Sequence, residues 1–164
     1  MNISRELRIR DVMTVDPVCV SPSTTIRELA RTLENNEISG APVVDQEGRV
    51  VGVVSKTDLI RRCSEGTDEL PPAYLFEVLR EQGDENDEEV IREPLVCVED
   101  FMTADPVTVP PESPASSAAR LMCERRIHRL VVVDGDRFPI GIVTTLDLLE
   151  AIGSGALPAE ARRQ

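Results

Sequence analysis

An internal repeat at a fixed offset of 89 residues constrains the fold of this chain more than any other feature. It aligns residues 11–22, DVMTVDPVCVSP, with residues 100–111, DFMTADPVTVPP, and the register still holds where Asp58 falls on Asp147. A copy of this size is too small to bury a comfortable core alone, whereas two copies packed face to face can share one. The sequence therefore predicts two similar half-domains that form one unit.

Each copy predicts the same series of elements, β-α-β-β-α. In the first copy these are a strand at 18–20, a helix through Ile26, Leu29, Ala30 and Leu33, strands at 41–44 and 50–54, and a helix at 56–62. In the second copy they are a strand at 107–109, a helix through Ala115, Ala118, Ala119 and Met122, strands at 130–133 and 140–143, and a helix at 145–152. The predicted fold class is therefore α/β.

The start of the first helix of each copy carries capping signals. In the first copy Thr24 competes with Thr25, which forms a capping-box pattern with Glu28. In the second copy Ser113 and Pro114 are a good N-cap and first-turn pair. We expect Ser113 to cap the second-copy helix, and the first-copy boundary stays open by one residue.

Composition and charge favour some classes of protein over others. Aromatic residues are only 2% of the chain, so the core must be built from Val, Ile, Leu, Ala and Met, as in helices on a Val-rich sheet. The formal net charge of −12 makes nucleic acid and anionic membranes unfavourable partners. No apolar run approaches the ~20 residues that span a bilayer, and residues 1–12 lack a signal-peptide core, so we expect a cytoplasmic protein.

The four cysteines are scattered along the sequence, and histidine adds little to the set of candidate metal ligands. Cys19, Cys63, Cys97 and Cys123 form no CxxC pair, and the chain has one His in all. We expect reduced, mostly buried thiols and no metal site.

The copies, predicted at 7–62 and 96–152, are separated by an acidic insert at 63–95 and followed by a tail at 153–164. Residues 64–93 carry eleven Asp and Glu against two Arg. The middle of the insert has a helical apolar face, consisting of Tyr74, Leu75, Val78 and Leu79, and the run GDENDEE after it is predicted to be mobile. Two interpretations stay open: a solvated linker with a docked helix, or a lid that binds a partner or gates a ligand.

Two short motifs occur once in each copy. A Met-Thr-x-x-Pro-Val start stands at 13–18 and 102–107, and a Gly-x-x-Ser/Thr-x-x-Asp finish stands at 52–58 and 141–147. Both motifs, twice, in order and in register, closely resemble those of cystathionine-beta-synthase-type (CBS) domains. The resemblance implies a Bateman module, a pair of β-α-β-β-α domains with two central clefts that often stacks into a homodimer. In family members that bind a ligand, it is usually AMP, ADP, ATP or a related adenosine compound.

The finishing motif has its own chemistry. A glycine at the strand start lets another backbone approach, and the Ser or Thr three positions later is an N-cap type. The Asp one turn further on can accept hydrogen bonds from the two vicinal hydroxyls of a ribose. We predict ribose binding by at least one of Asp58 and Asp147. The structural alternative is that Ser55 and Thr144 cap their helices and that the two carboxylates only stabilise the helix N-termini.

The residues expected to contact the phosphates of a nucleotide differ between the two copies. Residues 127–130, Ile-His-Arg-Leu, resemble a stretch of the AMP-activated protein kinase gamma subunit, whose His and Arg reach nucleotide phosphates. The resemblance implies that His128 and Arg129 serve the ligand held by Ser55 and Asp58. Ser39 and Gly40 stand at the equivalent place in the first copy, so we predict an Asp147 cleft that is weaker, empty or suited to uncharged adenosine. The whole predicted ligand-binding set is Ser55, Asp58, His128, Arg129, Thr144, Asp147, Val18, Ser39, Gly40 and Ala41.

A sensor of an adenosine nucleotide is the first functional hypothesis, with AMP, ADP or ATP as a regulatory ligand, no obligatory cofactor and an unknown effector protein as partner. The alternative is a ligand-free CBS pair for dimerisation or docking. No nucleotide-hydrolase loop, nucleophile elbow or metal cluster is present in the sequence, and Asp16 and Asp105 look like turn residues, so we do not expect an enzyme. The apolar pairs Leu59-Ile60 and Leu148-Leu149, with Ile152, fit a dimer surface or burial within the monomer equally well.

Overall fold

The computed structural model describes residues 6–65 and 96–155. The predicted insert helix around Tyr74 to Leu79 and the run GDENDEE lie outside the described residues. The described chain divides into two compact units. The second-copy unit contains residues 6–17, 47–50 and 105–155, and the first-copy unit contains residues 18–46, 51–65 and 96–104.

The second-copy unit is built on a four-stranded sheet in the order β1-β7-β6-β5. Its strands are β1 (Thr14–Val15), β5 (Thr108–Val109), β6 (Arg129–Val133) and β7 (Pro139–Thr144), and its helices are α3 (Ala115–Arg125) and α4 (Thr145–Gly153). β5 runs parallel to β6, whereas β6 and β1 run antiparallel to β7. The core is aliphatic, with Ile9, Leu130, Val132 and Val143 among its buried members.

The first-copy unit has a three-stranded sheet in the order β2-β3-β4. The strands are β2 (Gly40–Val44), β3 (Val50–Ser55) and β4 (Thr103–Ala104), and the helices are α1 (Ile26–Asn35) and α2 (Lys56–Glu65). Its core is again aliphatic, around Leu29, Leu33, Val43 and Val54. The α/β class and a core of small and medium aliphatic side chains, both predicted from the composition, are confirmed.

The predicted strand at 18–20 is wrong, because only Val20 forms a bridge, with Val43. Its counterpart in the second copy is a true strand, in which Thr108 pairs with Val131. Pro42 stands where the second copy has Val131, and a proline has no N–H to donate to the ladder. The pairing of the first copy therefore stops at one bridge.

The structure shows which residue caps the first helix of each copy. Thr25 is the N-cap of α1 and forms a capping box with Glu28, whose pKa is lowered by hydrogen bonds from the Thr25 backbone and side chain. Thr24 instead accepts a hydrogen bond from Ser21 N at 3.0 Å. In α3 the predicted Ser113 cap is wrong by one residue: Pro114 is the N-cap and has no side-chain bond.

Each copy begins with a short lead-in, residues 7–12 in the first copy and 96–101 in the second. The lead-in of each copy belongs to the unit that contains the helices of the other copy. In the second-copy unit Ala115 N donates to Leu7 O at 2.8 Å, and Ile9 N donates to Ser113 O at 2.9 Å. This contact gives the start of α3 an acceptor for one helix N–H that has no partner inside the helix. The lead-in is extended at Arg8 and then turns into a 3-10 helix at Ile9–Asp11.

The first-copy unit repeats this arrangement with the other lead-in. Ile26 N donates to Val96 O at 3.2 Å, and Val98 N donates to Thr24 O at 2.9 Å. A second 3-10 helix follows at Val98–Asp100, and Val98 is fully buried. The same pair of backbone hydrogen bonds therefore joins the lead-in to the helix start in both units.

The motif glycines allow a close approach between strands, as predicted. A Cβ on Gly141 would lie 2.6 Å from Met13 Sδ and 3.1 Å from Thr14 O. A Cβ on Gly52 would lie 2.5 Å from Met102 Sδ. The Met-Thr start of one copy thus packs on the glycine of the finishing motif of the other copy.

The cysteines are free, but the expectation that they are mostly buried is wrong. Only Cys63 is buried, Cys19 and Cys97 are half-buried, and Cys123 is exposed on α3. Burial raises the pKa of the Cys63 and Cys19 thiols. Burial also raises the pKa of Cys97, with a further contribution from the carboxylates around it, Asp100 first.

We predict that replacing Gly141 by Ala lowers the free energy of unfolding by about 1–3 kcal/mol, because the new Cβ overpacks against Met13 and the Thr14 carbonyl. Chemical denaturation measures the change. Gly135→Ala is the control, since nothing lies within 4 Å of a Cβ there. Equal effects of the two substitutions would contradict the close approach.

We also predict that a maleimide labels Cys123 first at neutral pH. The thiolate is the reactive form, and exposure favours Cys123 while burial and a raised pKa slow Cys63 and Cys19. Mass spectrometry of a labelling time course measures the order. A fast phase that survives in Cys123→Ser would show that the order is wrong.

Candidate functional site

Asp58 is held by a capping box at the start of α2. Its Oδ2 accepts hydrogen bonds from Ser55 N at 2.8 Å and from Ser55 Oγ at 2.6 Å. The Asp58 N–H in turn donates to Ser55 Oγ at 3.3 Å. The carboxylate is therefore fixed in direction by two donors of one residue.

Asp147 repeats this geometry at the start of α4. Its Oδ2 accepts hydrogen bonds from Thr144 N at 2.6 Å and from Thr144 Oγ1 at 2.7 Å, and Asp147 N donates to Thr144 Oγ1 at 3.3 Å. Both carboxylates are half-buried. Capping by Thr144 is thus present in the structure, as the sequence led us to expect.

Capping uses only one oxygen of each carboxylate. Within the described part of the chain, Oδ1 of Asp58 and Oδ1 of Asp147 accept no hydrogen bond. A carboxylate oxygen has two lone pairs, enough for two hydroxyl donors. Capping by Ser55 and Thr144 therefore leaves an oxygen of each carboxylate for ribose binding, which stays a prediction.

In the first-copy unit the predicted residues of β2 lie beside this cap. Lys56 N donates to Ser39 O at 3.0 Å, which joins the start of β2 to the start of α2. Gly40 and Ala41 are buried in β2, whereas Ser39 and Val18 are exposed. The backbone of residues 39–41 is therefore a neighbour of the Ser55–Asp58 cap, and Val18 is accessible.

In the second-copy unit the basic residues of the 127–130 stretch lie next to the Thr144–Asp147 cap. Arg129 is the register partner of Thr144 across β6 and β7, and Thr145 N donates to His128 O at 3.0 Å. His128 is exposed and Arg129 is half-buried. The structure thus brings His128 and Arg129 together with Thr144 and Asp147 in one unit.

The predicted site residues fall into the two units. The first-copy unit contains Val18, Ser39, Gly40, Ala41, Ser55 and Asp58. The second-copy unit contains His128, Arg129, Thr144 and Asp147. That His128 and Arg129 serve the ligand of Asp58 stays a prediction.

A cavity of about 350 Å³ in the second-copy unit contains one predicted site residue, Asp147. Its lining residues are Leu7, Asp11, Val12, Asp147, Glu150, Ala151 and Ser154. The sequence interpretation missed Asp11 and Glu150, although the helical spacing of Glu150 from Asp147 places both on one side of α4. Three carboxylates make this cavity unfavourable for a phosphate group.

The first copy has the opposite charge on the equivalent turn of its helix. Arg61 and Arg62 of α2 stand where the second copy has Glu150 and Ala151. Arg62 is half-buried, and its Nε has no hydrogen-bond partner among the described residues. The two capping carboxylates therefore sit in helices of different local charge, which the motif comparison alone did not reveal.

Comparison with known proteins identifies the family. The family profile described as "CBS domain" matches residues 9–65 and 98–154. The chain belongs to the CBS-domain family. The predicted tandem CBS pair is thereby confirmed.

Several relatives are similar over the whole CBS pair. An uncharacterized protein of Methanocaldococcus jannaschii, MJ1426, is 32% identical over 161 residues, which are 93% of this chain and 95% of that protein. The inosine-5'-monophosphate dehydrogenase of the same organism is 29% identical over 140 residues, but these are only 22% of its length. The CBS pair is therefore a small part of that relative and nearly all of the first.

Solved structures share the fold. The structure of CBSX2 in complex with AMP is 28% identical, has a TM-score of 0.67, and covers 90% of this chain and 96% of its own. The structure of MJ1225 from Methanocaldococcus jannaschii, described as a putative archaeal homolog of g-AMPK, is 28% identical with a TM-score of 0.68. It covers 90% of this chain and 48% of its own. These similarities confirm the α/β Bateman-module fold.

Residues 6–65 and 96–155 lack two kinds of feature. No helix there is long and apolar enough to cross a membrane. In the same residues no three His, Cys, Asp or Glu side chains are grouped so that they could hold a metal ion.

We predict that Asp147→Ala lowers the free energy of unfolding by about 1–2 kcal/mol, because Thr144 loses the acceptor of two hydrogen bonds. Asp147→Asn keeps an acceptor oxygen and should lose less. Thermal and chemical denaturation without ligand measure both variants. Equal losses for Ala and Asn would contradict the cap as the source of the effect.

Proposed function

We propose that this protein is a regulatory module that binds an adenosine nucleotide of the AMP, ADP or ATP type and acts on a partner protein. The observation that carries this proposal is Oδ1 of Asp58, which accepts no hydrogen bond within the described residues and belongs to a carboxylate that Ser55 already holds in place. A preoriented acceptor loses little conformational freedom when it binds the two hydroxyls of a ribose. Hydrogen bonds to a charged group contribute about 1.5–3 kcal/mol each.

The charge of α2 supports Asp58 as the carboxylate of the nucleotide site. Arg61 and Arg62 follow Asp58 by about one helical turn, and guanidinium groups bind phosphate oxygens well. Asp147 is instead followed by Glu150 and shares its cavity with Asp11. We infer that Asp147 binds its ligand more weakly, or binds uncharged adenosine.

The similar proteins support the ligand class. CBSX2, at 28% identity, is in complex with AMP, and MJ1225 is described as a putative homolog of g-AMPK. Both similarities extend over nine-tenths of this chain. Adenosine monophosphate is therefore the first ligand to test.

The contribution of His128 and Arg129 to phosphate binding is part of the same proposal. Both belong to a basic stretch that also includes the exposed Arg125 and Arg126. Regulation requires a change that a partner protein can recognise.

We predict that AMP, ADP or ATP raises the melting temperature by several degrees. A ligand at 100 times its dissociation constant stabilises a protein by about 2.7 kcal/mol, which corresponds to a few degrees for a chain of this size. Differential scanning fluorimetry with AMP, ADP, ATP, NAD and S-adenosylmethionine measures the shift. Asp58→Asn, which retains an acceptor for the cap, should remove most of the shift, and Asp147→Asn much less.

The controls separate binding from stability. Each shift is measured against the same variant without ligand, so that the loss of a cap does not count as a loss of binding. Arg129→Gln should reduce the shift with ATP more than the shift with adenosine if Arg129 contacts phosphate. No shift with any of the five compounds would favour a ligand-free docking module, and a larger loss in Asp147→Asn would reverse the assignment of the two carboxylates.

A further inference from the structure

Helix α2 carries an arginine one turn after Asp58, on the same side of the helix. Arg62 follows Asp58 by four residues, and residues at this spacing are neighbours, with Cβ atoms about 5–6 Å apart. Both side chains are half-buried, whereas the intervening Arg61 is exposed. The carboxylate and the guanidinium of Arg62 therefore belong to one partly buried edge of α2.

The guanidinium of Arg62 has a buried nitrogen without an acceptor. Its Nε is buried and donates no hydrogen bond to any described residue. The Asp58 carboxylate does not supply the acceptor, since its Oδ2 is held by Ser55. A buried, charged donor without a partner is unfavourable. An anionic ligand that reaches Arg62 removes this cost, and the gain adds to its affinity.

An adenosine nucleotide has its polar groups at a separation that suits Asp58 and Arg62. One ribose ring carries both the vicinal hydroxyls and the 5′-phosphate, so a carboxylate that binds the hydroxyls has the phosphate close by. A residue one helical turn from that carboxylate lies within reach of the phosphate. A guanidinium can donate two parallel hydrogen bonds to the oxygens of a phosphate group.

The second copy shows that the fold does not require an arginine at this position. At the 89-residue offset from Arg62 stands Ala151, which is buried. Ala151 and its neighbour Glu150 line the acidic cavity that contains Asp147. The equivalent turn of the second-copy helix therefore offers a phosphate no donor side chain and a repelling carboxylate.

We propose that Arg62 binds the phosphate of the nucleotide whose ribose Asp58 holds, and that it makes this site selective for phosphorylated adenosine. The inference rests on the proposed function, because it takes Asp58 as the ribose carboxylate. Ribose and phosphate are then bound by two residues of one helix, α2. The second copy has Ala151 in place of this arginine, so the selectivity belongs to the first copy.

We predict that Arg62→Gln raises the dissociation constant of AMP at least about tenfold, which is about 1.4 kcal/mol, and leaves that of adenosine unchanged. Adenosine has no phosphate, so it gains nothing from Arg62. Isothermal titration calorimetry of the full chain with each compound measures both constants. Arg31→Gln is the matched control, since it removes an exposed arginine of α1 in the same unit. It should change neither constant.

Two further variants separate phosphate binding from a structural role. Arg62→Lys keeps the positive charge but not the planar fork, so it should keep part of the affinity for AMP. In an Asp58→Asn background, Arg62→Gln should have little further effect on AMP, because both residues serve one site. A full tenfold loss in that background would place Arg62 elsewhere and overturn the proposal. Equal losses of adenosine and AMP in Arg62→Gln would also overturn it, since they indicate a role in the fold.

The two compounds also distinguish this inference from the proposed function. Wild-type protein that binds AMP, together with an Arg62→Gln variant that binds it equally well, would overturn the inference and leave the proposed function standing. Wild-type protein that binds neither AMP nor adenosine would overturn both. The unfolding midpoint of each variant without ligand is measured first, so that a loss of folded protein is not counted as a loss of binding.

Discussion

Both units depend on one backbone interaction, the docking of a lead-in segment onto the start of a helix from the other copy. Leu7 O and Ser113 O accept and Ala115 N and Ile9 N donate in one unit, and residues at the 89-residue offset do the same in the other. These bonds satisfy helix N–H groups that have no partner inside the helix. They also bring Met13 to Gly141, so the two family motifs meet although they are far apart in sequence.

The capping box gives the second motif its double use. A Ser or Thr fixes the direction of the Asp three residues later by holding Oδ2, and Oδ1 accepts no hydrogen bond from the described residues. Stability and binding thus draw on different oxygens of one carboxylate. The charge of the next helical turn then distinguishes the copies, with Arg61 and Arg62 after Asp58 and Glu150 after Asp147.

The duplicated fold acts as an internal comparison, in which equal backbones carry different surfaces. Where the second copy has the exposed Leu146, the first has Thr57. Where the second copy has the acidic cavity, the first has arginines. Features shared by both copies, such as the motif glycines and the caps, serve the fold, and the charges that differ between the copies are the candidates for a difference in ligand binding.

The sequence by itself determined the repeat, the α/β class and most helix and strand bounds within a residue or two, but it did not reveal the short strands Thr14–Val15 and Thr103–Ala104. What it determined follows from local patterns: a period of two or 3.6, turn residues, and the Thr25–Glu28 capping box. The motif also predicted Asp58 and Asp147 as possible ribose ligands.

Only the tertiary structure decided which lead-in packs against the helices of which copy. Leu7 and Val96 are both apolar, and the sequence around them favours neither partner. The tertiary structure decided that Pro42 limits the first strand to a single bridge, since the missing N–H matters only beside Val20. It also assigned Leu148 to the core and Leu149 to the surface. A run of consecutive aliphatic residues has no internal period that separates the two sides of a helix, and packing against the sheet supplies it.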